Sequence, residues 1–407
     1  MLNRRSMLAG VAGAGLTIAA AGCAPDPAGT PAPGTAGSGS AAGSAAPKAP
    51  VKVGIIYSKT GALAAYGETY YNGLQAGLDY ATKGTGKVGG REIQITYTDD
   101  AGDADKAVAA AKEQIGGGTK IIGGTVVSGV ALKLAEQAAQ NKVLYISGPA
   151  ATDALQGINK YTFRSGRQSL QDVAAASSYI SSGQKVLVFA QNNAFGQGNV
   201  AAVKAVLGAK GAVVSELLVP ETATEFTPFA RQIVDAKADM VFVAWAGATS
   251  GAMWQGLQQQ GVLTSTKVVT GLGDKSTFNA FGAASGNINF LNHYFPGAAK
   301  NDVNTAMIDY LTKKGQAADL FSPDGFVAAQ MIVRAIETGG GDDVDSMVKA
   351  LEGWSFDAPK GKQTIRATDH VMVQPMFQAK LVADGSNWKP ELVKEIPSDQ
   401  ASPAEKK

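Results

Sequence analysis

Two histidines, one cysteine and 34 acidic residues are the groups from which bond-making chemistry would have to be built in this chain. His293 and His370 each stand alone, with no second histidine at helical spacing, so paired-histidine zinc chemistry is absent. No G-x-S-x-G elbow occurs, which weighs against a serine hydrolase. The densest acidic cluster is Asp99, Asp100, Asp103 and Asp105; it lacks calcium-loop spacing, and Asp103 is placed to cap a following helix. Asp342, Asp343 and Asp345 read as the acidic first turn of another helix. A literal G-x-G-x-x-G at Gly84, Gly86 and Gly89 follows a helical pattern and precedes a strand, the reverse of a dinucleotide site, and reads as a turn. These residues point to no enzyme, no metal site and no cofactor.

What the sequence offers instead is hydroxyls and backbone amides. After an apolar strand at 120–122 come Thr125, Val126, Val127, Ser128 and Gly129, leading into a helix; after a strand at 143–147 come Gly148, Pro149, Ala150, Ala151 and Thr152. Ligands of open α/β sheets bind at the carboxyl ends of strands, and the unpaired amides of a helix amino terminus suit a carboxylate. Ser128 and Thr152 each read, alone, as simple caps; in adjacent strand-end loops they form an anion clamp.

The elements that must position these loops follow a regular order. Strands at 51–57, 92–97, 120–122 and 143–147 alternate with helical patterns at 64–82, 105–115 and 128–140. A second series places helices at 170–180, 198–210, 227–236 and 250–260 among strands at 185–190, 212–218, 240–244 and 267–270. Such alternation implies parallel sheets with helices on both faces, here two α/β lobes in tandem.

The start of the chain bears on where it works. Arg4 and Arg5 precede an apolar or small-residue run at 7–21, the layout of a secretory signal and too short to span a membrane. Cys23 follows Ala20, Ala21 and Gly22 in a pattern that resembles a bacterial lipobox, so cleavage after residue 22 and lipidation of Cys23 are expected; residues 3–8 also resemble a twin-arginine signal. Residues 24–50 hold only Ala, Pro, Gly, Ser, Thr, one Asp and one Lys, a tether with no large apolar side chain. As a flexible coil it would reach on the order of 30 Å. The formal charge is +2, which removal of Arg4 and Arg5 brings to zero, and no cluster of Lys or Arg marks a nucleic-acid surface.

A resemblance to a known family rests on motifs spread along the chain. Val53 to Ser58 with Thr60, Gly61, Tyr66 and Gly67, then Thr98, Asp99 and Asp100, then Ile122, Gly123 and Gly124, resemble the branched-chain amino acid binding proteins of ABC importers. So do Pro149 to Thr152, Tyr161 to Arg164, Asn193 to Gly198, Phe226 to Pro228, and Asp369 with His370. The resemblance implies the type I periplasmic binding protein fold, with two doubly wound lobes, three crossovers near Gly166, Phe295 and His370, and ligand held in the cleft by hinge closure. Lobe one would be 51–165 and 296–369, lobe two 166–295 and 370–395, with a disordered tail at 396–407.

By the same resemblance the ligand carboxylate falls to Ser128, Ala150 and Thr152, with aromatic walls from Tyr66, Phe195 and Phe321; Gly129, beside Ser128, is expected in the ligand site as well. Asp274 is the implied counter-ion of an ammonium and Trp245 faces it by cation–π contact or fills the core. Expected partners are a branched-chain or other aliphatic amino acid, an ABC permease with separate ATPase subunits, and a membrane reached through the lipid anchor, the receptor itself being a monomer. Three alternatives stay open: the same fold for an amide, urea or aromatic acid; a ligand sensor serving a signalling receptor; and an exported hydrolase using a carboxylate pair, which predicts turnover.

Overall fold

The computed structural model describes residues 48–271 and 273–406. The expected export signal, the lipidation site Cys23 and almost all of the tether lie outside the described residues.

The first alternation of strands and helices builds a six-stranded sheet. Its strands are β1 (Val51–Tyr57), β2 (Lys87–Val88), β3 (Arg91–Asp99), β4 (Ile121–Gly124), β5 (Leu144–Ser147) and β6 (Thr162–Arg164), in spatial order β2-β3-β1-β4-β5-β6. Every neighbouring pair is parallel except β2 with β3. The centre strands are apolar runs buried almost throughout, as strands covered by helices on both faces must be. Chain order reverses around β1, with β3 on one side and β4 on the other, and this reversal opens a crevice at the carboxyl edge.

The second sheet begins with β7 (Lys185–Gln191), β8 (Val213–Val219), β9 (Met240–Ala244), β10 (Lys267–Gly271) and β11 (Ile288–Asn292), all parallel. The chain then returns to the first lobe and forms a small antiparallel sheet of β12 (Ser355–Ala358), β13 (Gly361–Ile365) and β14 (Met372–Val373). The hairpin β15 (Met376–Asp384) and β16 (Asn387–Ile396) completes a seven-stranded order of β16-β15-β11-β10-β9-β7-β8. Composition hides this hairpin, because β16 is mostly exposed and polar.

Two expectations about the carboxyl-terminal part are corrected. The third crossover lies between Val373 and Met376, beyond His370: Met372 pairs with Ile365 and is buried in the core of the first lobe. The tail is ordered: Ser398–Ala401 is helical and Ala401 is buried in the core of the second lobe. Beyond it, the Lys406 amide donates to Asp369 at 3.0 Å and Gln156 Nε2 donates to the carbonyl of Ala404 at 2.8 Å. The order comes from backbone hydrogen bonds and one small side chain, which a hydrophobicity pattern does not register.

Packing in the first lobe depends on backbone contact between the helices Ala64–Thr82 and Ser322–Gly339. A Cβ at Gly73 would stand 1.8 Å from the carbonyl oxygen of Ser322, and one at Gly325 1.9 Å from that of Tyr70. In the second lobe the helix expected at 198–210 starts earlier, at Ala194, because the Asn193 side chain accepts from the amide of Gly196 at 2.9 Å and caps it there. The motif glycines 84, 86 and 89 all have positive φ, as turn residues do.

Candidate functional site

A cleft of about 560 Å³ lies between the two lobes, and the loops that line it leave the carboxyl ends of parallel strands. From the first lobe come Leu63 and Tyr66 after β1, Val127 to Val130 after β4, and Pro149 with Ala151 after β5. From the second come Asn193 and Phe195 after β7, Glu221 after β8, Trp245 after β9 and Gly273 after β10. Asp99 and Asp100 hold these loops in place. Asp99 Oδ1 accepts from the amides of Lys59, Thr60 and Ala101; Asp100 accepts from the Ser58 hydroxyl at 2.6 Å, the Gly102 amide at 2.8 Å and the Thr125 hydroxyl. Asp103 caps its helix by accepting from Lys106 at 2.9 Å, and no group of three or more metal-ligating side chains occurs among the described residues.

Of the nine expected ligand residues, six line the cleft: Tyr66, Ser128, Gly129, Phe195, Trp245 and Phe321. Ser128 opens the helix Ser128–Asn141, whose N-cap position is Val127 and which has no side-chain cap, so the Ser128 hydroxyl is not spent on its own helix. Tyr66 meets Phe321 edge-on, with ring centroids 4.9 Å apart. Burial pushes the Tyr66 phenol up, and the charge of Asp274 adds to the rise, so the ring presents a neutral hydroxyl. Trp245 is part wall and part core: it stacks on Phe189 at 5.4 Å, meets Phe226 edge-on at 5.2 Å, and donates Nε1–H to the Thr249 hydroxyl at 3.1 Å.

Ala150, Thr152 and Asp274 do not line it. The Thr152 hydroxyl caps the short turn Asp153–Leu155 by accepting from Ala154 at 3.3 Å. Asp274 caps the turn Lys275–Thr277, accepting from the Ser276 amide at 2.8 Å and from its hydroxyl. Ala150 is fully buried. For Thr152 and Asp274 the backbone amide two residues on claims the polar group that the cleft would have needed.

The structure also brings in charged residues that the sequence reading passed over. Arg167, on the first crossover, and Asp172, in the helix Ser169–Ala176, both line the cleft and lie 3.2 Å apart, with side chains only 12% and 14% exposed. Arg167 Nη1 donates to the carbonyl of Pro149 at 3.0 Å, and its guanidinium carbon lies 5.6 Å from the Phe321 ring centre. Burial raises the Asp172 carboxyl, against the pull of Arg167. Their signal in the sequence was an Arg and an Asp five residues apart at a crossover.

Behind the Phe321 wall is a buried cluster at the second crossover. His293 stacks on Phe321 at 5.0 Å, Asp324 lies 3.5 Å from His293 Nε2, and Lys360 Nζ lies 3.4 Å from the other oxygen of Asp324. Burial lowers His293 to about 4, so it is neutral near pH 7. Burial alone would raise Asp324, but Lys360 beside it holds the carboxyl below its ordinary value.

Known proteins share this arrangement. The sequence profile of a family described as periplasmic binding protein matches residues 50–386. The Leu/Ile/Val-binding protein BraC3 of Rhizobium johnstonii is 28% identical over 336 residues, covering 80% of this chain and 90% of the relative. A solved structure from Rhodopseudomonas palustris, described as an ABC-type branched-chain amino acid transporter, is 32% identical with a TM-score of 0.73, covering 86% of this chain and 97% of that one. An R. palustris solute-binding protein in complex with 4-hydroxybenzoate superposes with a TM-score of 0.78 at 22% identity, covering 86% and 97%, a likeness of fold alone. Matched length and fold thus agree, and the chain belongs to the periplasmic binding protein family, as an ABC-type solute-binding protein related to Leu/Ile/Val-binding proteins.

Proposed function

We propose that this protein is the extracytoplasmic receptor of an ABC importer that captures an amino acid with an apolar side chain and hands it to a membrane permease. The observation that carries the proposal is the composition of the cleft. The open amino terminus of the helix Ser128–Asn141 faces an aromatic chamber of Tyr66, Phe195, Trp245 and Phe321. Unpaired helix amides and the Ser128 hydroxyl suit a carboxylate, and the rings suit an apolar body. Closure of the two lobes about the crossovers takes the ligand out of water, and the receptor binds without turnover.

Export by the signal at 1–22, lipidation of Cys23 and the tether at 24–50 belong to the same proposal. They keep a monomeric receptor near its permease. A second reading, an aromatic acid as ligand, is favoured by one observation: Asp274, the expected ammonium partner, is occupied by its own turn and lies outside the cleft lining.

A thermal-shift screen of the purified protein against amino acids, amides, urea and benzoates tests the proposal, since a ligand of the folded state raises the melting temperature. Leucine, isoleucine or valine is expected to give the largest shift. No shift with any of these compounds would sink the receptor reading, and conversion of the bound compound would restore the hydrolase.

A further inference from the structure

We infer that Arg167 and Asp172 together read the head group of the ligand, and that they select a zwitterion over a simple acid. The inference rests on the amino-acid reading above and gives it the ammonium partner that Asp274 does not supply.

The pair is built into the floor of the cleft. Arg167 follows Gly166 on the first crossover, where a Cβ would stand 2.7 Å from Asp324 Oδ2, so only glycine lets the strand run this close to the buried carboxylate. That approach sets Arg167 between the Pro149 carbonyl and the Phe321 ring. Its Nε lies 3.2 Å from Asp172 Oδ2 yet makes no aligned hydrogen bond, and its Nη2 makes none among the described residues. Asp172 has Arg167 as its only ionic partner there. Each member of the pair therefore keeps hydrogen-bonding capacity of opposite sign at the cleft surface, in a place almost closed to water.

Charge decides which ligand fits. Facing the pair from the neighbouring elements are Asp324, Lys360 and His293, together with Arg164 and Asp153. Arg164, Arg167 and Lys360 carry three positive charges, Asp153, Asp172 and Asp324 three negative, and His293 is neutral near pH 7, so the floor sums to zero. A lone carboxylate brought here leaves an uncompensated buried charge beside Asp172. A zwitterion leaves the sum at zero. Its ammonium meets Asp172, and its carboxylate is shared between Arg167 Nη2 and the first turn of the helix Ser128–Asn141, while its side chain enters the aromatic chamber. Such an ammonium opposes the rise that burial imposes on the Asp172 carboxyl and so favours its charged form.

Three probes of one shape test this by calorimetry on the purified protein: L-leucine, 4-methylpentanoate, which lacks the ammonium, and 3-methylbutylamine, which lacks the carboxylate. Leucine is expected to bind at least about 100-fold more tightly than either, the loss of a charged hydrogen-bonded partner being the physical source. D172N is expected to weaken leucine by a similar factor and to leave 4-methylpentanoate unchanged or tighter. R167M is expected to weaken both.

Equal affinity of the wild-type protein for leucine and 4-methylpentanoate overturns the inference even if neither variant folds. So does leucine binding that is indifferent to D172N. Benzoate binding with no response to any amino acid also overturns it while the receptor reading stands; silence from every compound overturns both.

Discussion

His293 Nε2 and Asp324 Oδ2 lie 3.5 Å apart, both buried at the crossover between the lobes and neither with an aligned hydrogen bond to satisfy it. The imidazole is neutral near pH 7, so the charge facing Asp324 is that of Lys360, and His293 serves chiefly as a flat ring stacked behind Phe321.

This arrangement predicts a pH dependence of stability. Burial lowers the folded pKa of His293 from 6.5 to about 4, so between those values the unfolded chain binds a proton that the native chain refuses. The contribution is intact above about pH 6.5 and is lost as the pH falls towards 4, by up to about 3 kcal/mol. Urea unfolding of the wild type and H293N at pH 7 and pH 4.5 measures it: the wild type is expected to lose more stability over that interval. Equal losses would assign the acid sensitivity to other groups.

Lys360 and Asp324 form a fully buried ion pair at 3.4 Å. Removing one partner strands the other, so D324N is expected to cost about 3–5 kcal/mol in denaturant unfolding. The double variant D324L/K360M, which removes both charges, is expected to recover a large part of that loss. A double variant as unstable as D324N would mean that hydrogen-bonded shape, and not charge, holds this corner.

Helix approach at Gly73 gives a third outcome. A methyl group there would meet the Ser322 carbonyl at 1.8 Å, and backbone on both sides cannot move away cheaply. G73A is expected to destabilise the first lobe by about 3 kcal/mol, at the upper end of overpacking costs. A melting temperature within a degree of the wild type would show that the two helices slide apart freely.

Ligand affinity should separate the expected clamp residues. S128A is expected to weaken leucine binding by about 1–3 kcal/mol, because Ser128 lines the cleft and its helix has no side-chain cap. T152A is expected to leave affinity unchanged and to cost about 1 kcal/mol of stability through its lost cap. D274N should likewise spare affinity, since Asp274 caps its own turn. Calorimetric titration decides, and a ligand-binding defect in T152A with none in S128A would reverse the assignment.

Much of the fold was legible because its signals are local. The run Val51–Tyr57, buried at six of its seven positions, the helix Ala64–Thr82 and the helix Thr227–Ala236 have the bounds read from apolar spacing and turn residues. The hairpin β15–β16 was not legible, because Lys389, Glu391, Lys394 and Glu395 break up the apolar residues of an exposed edge strand. At the cleft, the aromatic residues expected from the resemblance line the cavity, whereas Thr152 and Asp274 cap their own turns: nothing in their spacing tells a hydroxyl or carboxylate that points to a ligand from one that bonds the amide two residues on.

By itself the sequence determined two parallel-sheet lobes and the strand-end loops between which a ligand would sit, since period and burial are encoded residue by residue. Only the tertiary structure decided which charges face the cleft. Arg167 and Asp172 look like ordinary solvated residues at a helix start, and Asp324, His293 and Lys360 are separated by up to 67 positions along the chain. The fold sets Arg167 3.2 Å from Asp172, and Asp324 3.5 Å from His293 and 3.4 Å from Lys360, where low dielectric makes each charge depend on its partner.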